Sequence, residues 1–107
     1  MGAPSLYVVE VIKNILAKLM KFIPNSGVRV NELGRGEIFY KPTLGEEKKL
    51  IEIYGYSERR GESVGNHHIK VSIKEPYLKN NEDLMKFLYE EKDRISRLEE
   101  PIKLIIE

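Results

Sequence analysis

The side chains best equipped for chemistry crowd into one stretch of this 107-residue chain, IYGYSERRGESVGNHHIKVSI, from Ile53 to Ile73. It holds the arginine pair Arg59 and Arg60, the chain's two histidines His67 and His68, and Tyr54, Tyr56 and Ser63. Imidazole exchanges a proton near neutral pH, and the guanidinium fork grips a phosphate through two hydrogen bonds. A base, an acid and a cation suffice for metal-independent cleavage of RNA or of a nucleotide. One expectation is therefore an enzyme with His67 or His68 as acid-base and Arg59 or Arg60 on the phosphate. The other is a non-catalytic binding face that carries the same residues.

Two features temper the catalytic expectation. Glu58 and Glu62 bracket the arginines, so residues 58–62 are formally neutral and offer no electrostatic funnel. Adjacent strand residues point to opposite sides, so His67 and His68 cannot readily share one metal or one substrate. With no cysteine and no third histidine, the sequence calls for neither a metal nor a cofactor.

The elements that position these residues read as strands. HIKVSIK alternates with period two, sending Ile69, Val71 and Ile73 one way and His68, Lys70, Ser72 and Lys74 the other. In LIEIYGY the same logic sends Ile51 and Ile53 to the core and Leu50, Glu52, Tyr54 and Tyr56 outward. The arginines and histidines between these runs are placed on a loop spanning residues 58–68. If the isoleucines share a core, the open face collects Tyr54, Tyr56, His68, Lys70 and Lys74, with Arg59 and Arg60 at the loop. Aromatic rings among cations are what single-stranded nucleic-acid platforms use, so these residues form the expected contact set. Tyrosine also pairs across strands as plain packing, and a solvated sheet face explains the lysines equally well. A third possibility is a protein-protein adaptor surface.

Earlier in the chain, LGRGE (Leu33 to Glu37) supplies a turn before the strand EIFYK. Its two glycines fit neither the G-x-G-x-x-G nor the G-x-x-x-x-G-K-[ST] phosphate loop, so a hairpin turn is expected. Val28 and Val30 mark a short strand before it. From Leu6 to Ile23 the apolar spacing predicts a helix capped by Ser5 and stopped by Pro24. Beside the main stripe, Val9, Leu16, Met20 and Ile23 make a second apolar set. Either the helix is covered on two sides or this set is the seam of a homodimer. A second helix follows Asn80 or Asn81, with Leu84, Phe87, Leu88, Ile95 and Leu98 on its core stripe and Glu91 interrupting it. IKLIIE after Pro101 has the β-branched composition of a last strand.

Composition sets the outer bounds. Lys and Arg number 18 against 17 Asp and Glu, so no global field pulls the chain toward polyanions. Charged residues reach 33%, and glutamine, cysteine and tryptophan are absent, a bias seen in thermophile proteins. No signal-peptide pattern opens the chain and no apolar run spans a bilayer, so a cytoplasmic protein without membrane partners is expected. The fold expected is α+β: a two-layer domain over residues 1–107, its mainly antiparallel sheet of four to five strands backed on one face by two helices.

Overall fold

Ser5 starts the first helix. Its Oγ accepts the Val8 N–H at 3.5 Å, opening α1 (Leu6–Leu19) as a capping serine does. In this computed structural model, which describes residues 3–61 and 63–107 apart from the side chains of Arg59, Arg60, Ser63 and Val64, α1 tightens into a 3₁₀ turn at Met20–Phe22. The helix thus ends before Ile23. Asn25, at a left-handed φ of 56°, then turns the chain into the sheet.

Four antiparallel strands follow in a meander: β1 (Ser26–Val30), β2 (Arg35–Tyr40), β3 (Lys48–Arg60) and β4 (Ser63–Ile73). A 3₁₀ turn and α2 (Glu82–Ser96) carry the chain back, and β5 (Ile102–Ile106) joins β4 in parallel. The sheet order is β1-β2-β3-β4-β5. Asn81 caps α2 through its Oδ1, which accepts the Leu84 N–H at 3.1 Å. Both helices join the inner sheet residues in one apolar cluster, in which Ile12, Leu16, Ile53, Ile69, Leu88 and Ile95 are all fully buried. This is the expected α+β arrangement, with the helices on one face and the other left open. Among the described residues no helix is long and apolar enough to cross a membrane.

Two glycines seat α1 on the sheet. A Cβ at Gly55 would stand 2.6 Å from Val8 Cγ1 and 2.8 Å from Ile12 Cδ1, and one at Gly36 would stand 2.6 Å from Leu16 Cδ1. The glycine between Tyr54 and Tyr56 is therefore a packing notch on the inner face. On α2 the interruption of the stripe is also explained: Glu91, 5% exposed, receives Arg94 at 2.6 Å and Lys18 of α1 at 3.5 Å. The carboxylate is buried, and its two half-exposed cations reach in to compensate it.

The structure corrects four expectations. Leu50 is not on the open face: the register slips where Ile38 pairs with Ile51 and Phe39 with Lys49, and this bulge turns Leu50 into the core, 2% exposed. The turn expected over Leu33 to Glu37 ends sooner, because β2 already begins at Arg35. Where a loop over residues 58–68 was expected, β3 runs on to Arg60 and β4 begins at Ser63, with Arg59 opposite Val64, Arg60 opposite Ser63 and a turn at Gly61. Finally, Val9, Leu16 and Ile23 are only 1%, 0% and 6% exposed within the chain itself and have no side-chain surface left for a dimer seam. Of that set Met20 alone is exposed, at 39%. The helix is apolar around so much of its circumference because the chain's own fold covers it on more than one side.

Candidate functional site

The open face is set by alternation on the central strands. On β3, Ile51, Ile53, Gly55 and Ser57 are buried inward, while Tyr54, Tyr56 and Glu58 stand between them on the other side. On β4, His67, Ile69 and Val71 go in, so His68 and Lys70 go out. Cross-strand register then builds two rows. Arg35 of β2 faces Tyr54, which faces Lys70, which faces Ile105 of β5; Tyr56 faces His68, which faces Lys103.

The rings in these rows stack on one another. Tyr56 and His68 lie 4.6 Å apart between centroids and only 11° from parallel, and Tyr54 and Tyr56 lie 6.2 Å apart at 25°. Tyr56 is the shared member, so the stack ends at Tyr54 on one side and at the largely covered His68 on the other. Cations flank the Tyr54 end: the Arg35 guanidinium carbon and the Lys70 ammonium each stand 6.0 Å from its ring centroid. At the other end, His68 Nε2 meets the Glu58 carboxylate at 3.1 Å. A carboxylate only accepts, so Nε2 carries a proton, while the buried Nδ1 has no partner among the described residues.

Much of the remaining charge is already paired. Arg29 reaches Glu37 at 2.9 Å and Glu47 at 2.5 Å, and those carboxylates, Glu47 foremost, hold the guanidinium above its ordinary pKa. Lys49 spans Glu52 and Glu37 at 3.3 and 3.4 Å, Glu52 being the stronger cause of its raised pKa. Lys70 holds Glu107 at 2.9 Å, which raises its pKa as well. On the open face, Arg35, Lys74 and Lys103 take no carboxylate among the described residues.

His67 belongs to the opposite face and to a different task. Only 5% exposed, it places Nδ1 2.8 Å from Ser57 Oγ, and that hydroxyl also accepts the Ser5 N–H at 3.3 Å. On the other side of the ring, Nε2 stands 3.9 Å from the Glu100 carboxylate. Tyr7 meets the imidazole edge-on at 5.8 Å and donates its hydroxyl to the Glu100 carbonyl at 3.1 Å. The start of α1, the β3–β4 hairpin and the approach to β5 are joined through this one side chain.

Of the residues expected at a nucleic-acid face, the structure brings Tyr54, Tyr56, His68 and Lys70 together. Lys74 lies just past β4, exposed, its N–H donating to the Leu50 carbonyl at 2.8 Å. Arg59 and Arg60 end β3, but their side chains, like Glu62, lie outside the described residues. His67 and His68 occupy opposite faces of the sheet, as the alternation of strand residues predicts. Sequence reasoning missed Arg35 and Lys103. Their signal was the alternation of their own strands, polar Arg35 and Glu37 around Gly36 and Ile38, and Lys103 between Ile102 and Leu104. Ser57 was missed too, because its tie to His67 exists only once the hairpin register is known. Comparison with family models, with curated proteins and with solved structures yields no match.

Proposed function

We propose that the open sheet face is the contact surface of a non-catalytic module for single-stranded nucleic acid. The observation that carries this is the Tyr54–Tyr56–His68 ring stack with Arg35 and Lys70 at its Tyr54 end. A base adds to such a stack at an open end, and base–aromatic stacking contributes about 1–3 kcal/mol per base whatever the sequence. Arg35 stays at the ring, and Lys74 and Lys103 remain for the phosphates of the strand. Because most other cations are paired, contact rather than long-range steering supplies the affinity, and single strands fit better than a duplex whose bases are already stacked.

The test is fluorescence anisotropy with labelled single-stranded RNA, single-stranded DNA and duplex DNA over a salt series, followed by a gel of the recovered strands. Single strands are expected to bind and to be recovered intact, with a slope of log affinity on log salt of about −1.4 for two phosphate contacts. Tyr54→Ala should weaken binding by about tenfold without unfolding the chain. No binding at low salt sinks the proposal and points to a protein partner. Shortened strands would instead favour cleavage, and His68→Ala would then have to abolish it.

A further inference from the structure

Beside Tyr54 the open face sinks into a groove of about 400 Å³ whose walls carry both signs of charge: Arg29, Arg35 and Lys49 with Glu37 and Glu52, and Asn31 at one end. That volume is within the range of small-ligand sites. Arg35 sits directly across from Tyr54, and Glu52 stands two places before it on the same face of β3. The pairing inside the groove is incomplete. Glu37 is occupied at both oxygens, by Arg29 and Lys49, whereas Glu52 meets Lys49 through Oε2 only. Among the described residues, Glu52 Oε1 and the Arg35 guanidinium are left without partners.

A bare phosphate would be repelled by the carboxylate, and a bare cation by the guanidinium. A ligand with paired donors on one edge and paired acceptors on the next suits both. Guanine has that pattern: N1–H and the N2 amine face a carboxylate, while O6 and N7 face a guanidinium fork. Adenine and cytosine place an acceptor nitrogen beside the amine, where it meets a carboxylate lone pair. Uracil and thymine flank their one N–H with two carbonyls. We infer that the groove seats one guanine of the bound strand, with Glu52 on its Watson–Crick edge and Arg35 on O6 and N7. This rests on the reading of the sheet face as a single-strand surface.

The experiment compares short labelled oligouridine strands carrying one central guanosine, adenosine or cytidine, or none, on the full chain and on Glu52→Gln and Arg35→Lys. A single guanosine prevents quadruplex formation. The guanosine strand is expected to bind about tenfold more tightly than the others, as a good two-bond contact discriminates between bases. Glu52→Gln, whose side chain is 36% exposed and outside the core, should bring the guanosine strand down to the level of the adenosine strand. Arg35→Lys should do so in part, because an ammonium lacks the planar fork. Equal binding of all strands overturns the guanine inference and leaves the sheet-face reading intact. A guanosine preference that survives both substitutions overturns the placement in this groove. Failure of every strand to bind overturns both.

Discussion

His67 and His68 are neighbours in the chain with the same side chain, and they belong to different parts of the molecule. His67 is closed in by Ser57, Tyr7 and Glu100, each of which ties it to another element. His68 stacks on Tyr56 in a patch that faces outward. The contrast runs along the whole β3–β4 ladder, where Gly55 and Ser57 serve the helices while Tyr54 and Tyr56 serve the open side. Chemical type does not decide what a residue does here; the two-residue period of the strand does. Changes on the inner face should register as stability, and changes on the outer face as binding.

That division can be broken at Gly55. Gly55→Val puts a branched side chain into the space filled by Val8 and Ile12 of α1, so the helix must lift or the strand must bend. A loss at the upper end of about 1–3 kcal/mol is expected from urea unfolding; a neutral result would mean that α1 is not held against the notch. Ser57→Ala is the finer instrument. It removes a methyl-sized polar group yet strands the Ser5 N–H and His67 Nδ1 in a buried site, for an expected loss of about 1–2 kcal/mol. Substituting His68 or Tyr54 with alanine should cost less than Ser57→Ala does, and the comparison fails if the order is reversed.

The smallest effect is a pH dependence at the same inner cluster. Burial first, and then the Glu100 and Glu99 carboxylates, raise the Tyr7 hydroxyl above its ordinary value, with Arg94 opposing them. A raised pKa favours the neutral phenol in the folded chain. The unfolded chain therefore releases this proton first, and the stabilisation, complete below about pH 10, declines as pH rises through the folded value. Subtracting the stability curve of Tyr7→Phe from that of the parent chain should reveal a drop confined to that alkaline range. A flat difference would show that neither burial nor the carboxylates raise the Tyr7 hydroxyl in the folded chain.

The fold was legible where local pattern and tertiary environment agree. HIKVSI alternates cleanly and is a strand with the expected faces; Ser5 caps the first helix, and β-branched IKLII is the last strand. Leu50 was illegible because a bulge breaks the alternation without altering the residue types around it. Around Gly61, glycine and charge interrupt the apolar pattern and suggest a loop, yet Arg59 pairs with Val64 and Arg60 with Ser63 to extend the hairpin. The open face was half legible. Tyr54, Tyr56, His68 and Lys70 follow from two alternating runs, but Arg35 and Lys103 join them only through register with strands distant in the chain. The second apolar set on α1 carried no sign of whether the chain itself or a second copy would cover it.

The parallel pairing of β4 and β5 has a consequence in time. Each hairpin of the meander brings together strands joined by a few residues, whereas His67 meets Ile102 only after the intervening chain has doubled back through all of α2. Closing a longer loop costs only slightly more free energy, but contacts between distant residues form slowly. The sheet therefore has one late seam. The His67 cluster, which draws on Glu100 just before β5, is completed only when that seam closes.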